Sequence, residues 1–294
     1  MGGREDYPGP AGAAVTGRTP PRVRPPRAVA RRTGARAALL MNGAEDGPRL
    51  PGGRDMTTVG LLYPGHHAED DYPRIETLLT GVNVPIVHTG TGEDARRVDA
   101  LLESGSAGRL AAGMEQLRLS GAESVVWAST SGSFLYGWEG AQEQIRALAV
   151  SAGLPASSTS FGFVHALREV GAARVAVAAT YPEDVTDLFA GFLKAAGVEV
   201  VASRAAGVAT AAEAAAWGPE RVLELVRAAD RPGAEAVLVP DTALHTVGCL
   251  PELEAAVGKP VLTANQVTVW EGLRLAERRG AWSADLGTLF ARKE

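Results

Sequence analysis

From Thr57 onward the chain alternates short apolar runs with Ala-rich amphipathic stretches, and this alternation constrains the fold more than any other feature. The runs VGLLY (59–63), VPIVHT (84–89), SVVWAS (124–129), RVAVAAT (174–180), VEVVAS (198–203), AVLVP (236–240) and PVLTA (260–264) read as strands. Between them lie helical patterns such as AAGMEQLRLSG (111–121), EQIRALAVSAG (143–153), VTDLFAGFLKAAG (185–197) and GPERVLELVRAAD (218–230). Apolar runs of about four to eight residues, bounded by turn signals, suit strands buried on both faces. Strands that alternate with helices make a parallel sheet covered by helices, so the expected class is α/β. A weak internal repeat adds to this. ESVVWASTSG and AEAVLVPDTA, roughly 110 residues apart, each follow a helix and break from an apolar strand into a small polar turn. Ligands of open α/β sheets bind at such carboxyl ends.

Composition narrows the function. Aromatics are 5% of a chain that is 46% hydrophobic, so Ala, Val and Leu must build the core. Cys249 is the single cysteine, which rules out an intramolecular disulfide and fits a reducing, cytoplasmic setting. The three lysines, Lys194, Lys259 and Lys293, stand away from the polar turns, which argues against Schiff-base chemistry. No run of about 18 apolar residues occurs, so no membrane span is expected. Residues 1–55 hold ten Arg and five acids, net +5; with a total of −5 the rest carries −10. An acidic body is a poor nucleic-acid partner, because phosphate contacts need clustered Lys and Arg. Residues 1–55 are rich in Pro, Gly, Ala and Arg without periodicity and read as a disordered extension. A targeting peptide and a nucleic-acid arm compete with a plain spacer for that segment. No dinucleotide fingerprint, P-loop, G-x-S-x-G elbow or H-E-x-x-H motif is present, so no cofactor and no metal is expected.

Three turns carry candidate chemistry. Ser129, Thr130 and Ser131 open a hydroxyl-rich turn that suits either a carboxylate cradle or a helix N-cap. Asp241, with Thr242 and His245 close behind, suits either a general acid–base group or a helix cap. His66 and His67 stand beside Glu69, Asp70 and Asp71; adjacent side chains diverge, so one of the two histidines is expected to face any given site.

These turns, in this order, resemble the maleate isomerase and arylmalonate decarboxylase branch of the aspartate/glutamate racemase superfamily. GKPVLTANQVTVWEGLRLA (258–276) is similar to the family's C-terminal segment. PDTALHTVGCLPELE resembles its second-cysteine segment, WASTSGSF its first-cysteine turn, and RVAVAATYPEDV the strand and turn between them. The resemblance implies two pseudo-symmetric lobes, each a four-stranded parallel sheet flanked by helices. The first lobe would hold residues 56–160 and 262–294, the second 161–261, with the active site between them and a homo-oligomer as the assembly. It also implies that Ser129 and Asp241 occupy the positions of the two catalytic cysteines, and that His67 displaces a family asparagine. Thr130, Ser131 and Tyr181 would line the substrate pocket, with Thr242, His245 and Asn265 near it. Cys249 would be a small core residue. The implied function is a cofactor-independent carbon-acid lyase or isomerase acting on a small carboxylate. Two alternatives stay open: a silent carboxylate-binding homologue, and a hydrolase-like variant with Ser129, a loop histidine and Asp241.

Overall fold

The computed structural model describes residues 56–90 and 96–292; the extension expected over residues 1–55 lies outside them. The described residues form nine strands: β1 (Thr57–Tyr63), β2 (Val82–Asn83), β3 (Ile86–His88), β4 (Ser124–Trp127), β5 (Ala156–Ser158), β6 (Arg174–Ala179), β7 (Glu199–Ala205), β8 (Ala236–Val239) and β9 (Val261–Thr263). They make two sheets, both wholly parallel. The first runs β2-β1-β4-β5, with β3 also on β1, and the second runs β7-β6-β8-β9. Helices flank both, so the α/β architecture with two helix-covered parallel sheets is as the sequence implies.

Differences in detail have local causes. The run 84–89 was expected to be one strand, but the edge of the first sheet is split. Thr57 pairs with Val82 and Leu61 with Ile86, and Pro85 stands at the break. Proline has no N–H to give a ladder and belongs at sheet edges. Its carbonyl still accepts from the Leu61 N–H at 2.9 Å, so the edge continues across the gap. Strand β5 reads Ala-Ser-Ser and carries no apolar signal in the sequence. It is a buried strand whose hydroxyls are bonded: Ser158 Oγ pairs with Ser133 Oγ at 2.9 Å.

The helix Ala264–Leu275 leaves β9 of the second sheet and lies against β1, β4 and β5 of the first. Gly272 permits its close approach. A Cβ there would stand 2.1 Å from Val59 Cγ1, and the Gly272 carbonyl accepts from Ser124 Oγ at 2.8 Å. Beside it runs the helix Thr159–Val170, tied to it by Thr159 Oγ1 and Thr268 Oγ1 at 2.6 Å. One hydrophobic cluster runs through Val59, Val126, Phe163, Val177, Leu238 and Val267, so a shared core supports strands of both sheets. That rigid base holds the turns at the ends of β1, β4, β6 and β8.

Candidate functional site

The turn after β4 is fixed from several sides. Ser129 Oγ accepts from the Gly132 N–H at 3.1 Å, a capping contact for the short helix Ser131–Phe134. The Gly132 carbonyl accepts from Trp127 Nε1 at 3.1 Å and Gln144 Nε2 at 2.8 Å, and the Thr130 carbonyl accepts from Ser160 Oγ at 2.7 Å. Within this frame the side chain of Thr130 is left over. It is fully buried, and its Oγ1 meets no partner at full hydrogen-bond geometry among the described residues, the Tyr181 hydroxyl standing near enough to interact but not to satisfy it. A buried hydroxyl without a partner costs about 1–3 kcal/mol, so a fold that keeps one offers it to something else.

Thr130 and Ser131 face Tyr181, which follows β6. The Tyr181 phenol is buried and donates to the Pro240 carbonyl at 3.0 Å. Burial raises its pKa well above the ordinary tyrosine range and Asp241 adds to the rise, while Arg96, Ser131 and Thr130 oppose it. Tyr181 is therefore a neutral donor. Thr130, Ser131 and Tyr181 thus stand together.

Asp241, at the end of β8, is buried and meets a partner that the sequence did not disclose. Arg96 Nη2 donates to Asp241 Oδ2, and Thr180 Oγ1 donates to the same oxygen. Arg96 Nη1 reaches Thr180 Oγ1 at 2.7 Å, and Asp241 Oδ1 accepts from the Ala243 N–H at 3.0 Å. The guanidinium lies 5.0 Å from the centre of the Tyr181 ring, a cation–π distance. Both charged side chains are almost fully excluded from water, at 3% and 4% exposure, so this is a buried ion pair with satisfied hydrogen bonds. From sequence Asp241 suited either a general acid–base group or a helix cap; the structure gives it a counter-charge and three donors, Arg96, Thr180 and the Ala243 N–H. Nothing in DARRVDA distinguishes Arg96 from Arg97, which is exposed and bridges Asp99 at 2.8 Å.

The remaining candidates lie around this centre. Thr242 is buried, and its carbonyl lies 3.0 Å from the hydroxyl of Tyr63, which also bonds the carbonyl of His67. Tyr63 therefore links the first loop to the residue after Asp241. Asn265 is buried and engaged at both ends of its amide: its Oδ1 accepts from Tyr72 at 3.1 Å, and its Nδ2 donates to Asp71 at 3.0 Å and to the Leu244 carbonyl at 3.2 Å. Asp71 Oδ2 also accepts from the N–H groups of Thr246 (3.0 Å) and Val247 (3.3 Å). Burial raises the pKa of Asp71, and the bonds from Asn265, Thr246 and Val247 partly offset that rise. Asp71 was hidden in a run of three acids, and it is the one that pins the β8 loop. His245 sits on the outer side, part-exposed, with Nδ1 3.1 Å from Asp70. His66 is turned to Glu69 and His88, and Asp241 to Arg96, so the form of the hydrolase-like trio that uses His66 is not assembled; the form that uses His67 is left open.

Cys249, expected in the core, is half-buried at its margin, with Sγ 3.5 Å from the Thr246 carbonyl. Burial pushes its thiol up to about 11, with Asp71 and Glu252 adding to the rise, so it is a poor source of thiolate at neutral pH. No helix among the described residues is long and apolar enough to cross a membrane.

Known proteins share this fold. A protein-family model for arylmalonate decarboxylase matches residues 103–290. The chain is 27% identical over 241 residues to the arylmalonate decarboxylase of Bordetella bronchiseptica, covering 79% of this chain and 96% of that one. It is 31% identical over 124 residues to the maleate isomerase of Alcaligenes faecalis, covering 41% of this chain and 48% of that one. A crystal structure of arylmalonate decarboxylase superposes with a TM-score of 0.63 at 27% identity, over 79% of this chain and 98% of that one. The maleate isomerase Iso from Pseudomonas putida S16 shares the fold, with a TM-score of 0.74 at 17% identity over 81% and 99%. The family model spans more than half of the sequence, and the chain belongs to the arylmalonate decarboxylase family.

Proposed function

We propose that the protein is a cofactor-independent decarboxylase or isomerase of a small carboxylate, using a hydroxyl pocket and a non-cysteine proton-transfer group. The observation that carries this is the convergence of Thr130, Ser131 and Tyr181 beside the buried Arg96–Asp241 pair, with the Thr130 hydroxyl left without a partner. The relatives are a decarboxylase and an isomerase of small carboxylates, which supports the same reading.

In this reading the Thr130 and Ser131 hydroxyls take the oxygens of one substrate carboxylate, and neutral Tyr181 turns its single O–H from the Pro240 carbonyl to them as charge grows there. Decarboxylation breaks a carbon–carbon bond, releases carbon dioxide and leaves the electron pair on an enediolate. An isomerisation by proton shift passes through the same kind of anion. Preorganised donors in a dry site stabilise such an anion, each by about 3–4 kcal/mol. Arg96 attracts the substrate's carboxylate and in doing so releases Asp241; in decarboxylation the freed carboxylate takes a proton from water and delivers it to the enediolate carbon, and in isomerisation it takes the proton from one carbon and returns it to another. Ser129, engaged by Gly132, shapes the turn rather than attacking the substrate. His67, Thr242 and Asn265 position the surrounding loops, and His245 lies at their outer edge. A homo-oligomeric, cytoplasmic protein fits the family resemblance.

A panel of arylmalonates and maleate, followed by proton NMR, tests the reading. Conversion by the wild type that falls at least tenfold in Thr130→Val supports it. Substrate binding without conversion favours the silent homologue, for which the closed Arg96–Asp241 pair is the supporting observation.

A further inference from the structure

The strongest unassigned cluster lies at the carboxyl ends of β1 and β3, outside the pocket. His66 and Glu69, in the loop after β1, meet His88, the last residue of β3. One ligand atom from each of the three lies within 4.8 Å of the others. Glu69 Oε2 is 2.5 Å from His88 Nε2 and 3.7 Å from His66 Nδ1, so both imidazoles converge on the same oxygen. The two rings stack with centres 4.1 Å apart.

We propose that His66, Glu69 and His88 form a binding site for a divalent transition-metal ion of the zinc class. Two imidazole nitrogens and one carboxylate oxygen, from the loop after β1 and the end of β3, gather around a single point at the mouth of the β1–β3 edge. Two nitrogens and one carboxylate oxygen suit Zn²⁺ or Co²⁺ rather than Mg²⁺ or Ca²⁺, which prefer oxygen alone. Bond lengths near 2.0–2.2 Å put tetrahedral ligands about 3.3 Å apart, so the 2.5 Å and 3.7 Å separations each lie within about 1 Å of that value, and the stacked rings must turn for both in-plane lone pairs to meet one ion.

Three protein ligands leave a fourth position for water or a small anion, the pattern of open rather than structural zinc sites. Side-chain exposures of 66%, 37% and 33% for His66, Glu69 and His88 leave room for that exchange. The site is also coupled to the pocket. Tyr63 is the register partner of His88 in the β1–β3 pair and packs edge-on to it at 6.3 Å, and its hydroxyl reaches the Thr242 carbonyl beside Asp241. The metal site would stand one residue from the proposed pocket, yet it does not depend on that reading.

Cobalt titration of the full-length, chelator-treated protein tests the proposal by visible absorption and calorimetry. One Co²⁺ per chain should bind with Kd below about 10 µM, show the intense bands of a low-coordinate site, and be displaced by Zn²⁺. His88→Ala and Glu69→Gln should each weaken binding by about 100-fold, at least what loss of an outer-shell partner costs. His245→Ala, which alters a separate His–Asp contact, should leave binding unchanged, and circular dichroism should show all three variants folded. Binding weaker than about 1 mM, or tight binding that survives both His88→Ala and Glu69→Gln, would overturn the assignment.

Discussion

The Arg96–Asp241 pair makes a demanding prediction. Both side chains are buried, at 3% and 4% exposure, and each is the other's counter-charge. Arg96→Met strands a carboxylate that, among the described residues, retains Thr180 and the Ala243 N–H as donors. Asp241→Asn strands a guanidinium between Thr180 and the Tyr181 ring. Removing one partner of a buried pair costs about 3–5 kcal/mol, because the other charge is left uncompensated. In a body of this size about 1 kcal/mol moves the midpoint by about 2–4 °C, so each variant should melt roughly 6–20 °C lower. The double variant removes both charges, and a buried pair replaced as a unit is often near neutral. It should therefore be no less stable than either single variant, a coupling of at least about 3 kcal/mol in the cycle. Urea unfolding of the four proteins at one pH measures it. Single costs below about 1 kcal/mol that simply add would show that the two groups are not paired in a dry site.

Further predictions address other sites. Thr130→Val removes a hydroxyl with no partner in the folded protein, so stability should stay within about 1 kcal/mol while turnover falls about 10²–10³-fold, read by thermal melts and NMR rates. Cys249→Ala should leave turnover near wild type, and the native thiol should react slowly with a disulfide reagent at pH 8, speeding up as pH approaches its raised value of about 11. Asp71 has a folded pKa above its ordinary value of 3.8. Its contribution is fully present below that ordinary value and is lost as pH rises through the folded pKa. The stability of Asp71→Asn relative to wild type should therefore increase as pH rises from about 4 toward neutrality, measured by urea midpoints across that range.

The sequence and the structure agree where periodicity and turn chemistry govern. The apolar runs at 59–63, 174–180 and 236–240 became β1, β6 and β8 because their side chains are buried on both faces and no other element accommodates them. The edge run at 84–89 broke because Pro85 denies one ladder bond, a rule readable in advance. Strand β5 was not readable, because Ala-Ser-Ser is buried by tertiary hydroxyl pairs rather than by apolar character. The turns holding Thr130, Tyr181 and Asp241 were legible through resemblance to known families, but their partners were not. Arg96 stands 145 positions from Asp241, and Asp71 stands 194 from Asn265, so only the fold joins them. His88 was read only as part of a strand, and its place at the end of β3 is what brings it to Glu69.

Solvent deuterium tests the central claim, that this chain performs carbon-acid chemistry through Asp241. Wild-type protein is incubated in D₂O with each arylmalonate and with maleate, and the carbon-bound hydrogen of substrate and product is followed by NMR. Deuterium should enter the carbon that lost its carboxylate or shifted its proton. In Asp241→Asn the rate per folded molecule should fall by about 10²-fold or more, and in Asp241→Cys part of it should return. Deuterium incorporation that proceeds at the wild-type rate per folded molecule in Asp241→Asn would show that another group moves the proton and would contradict the account.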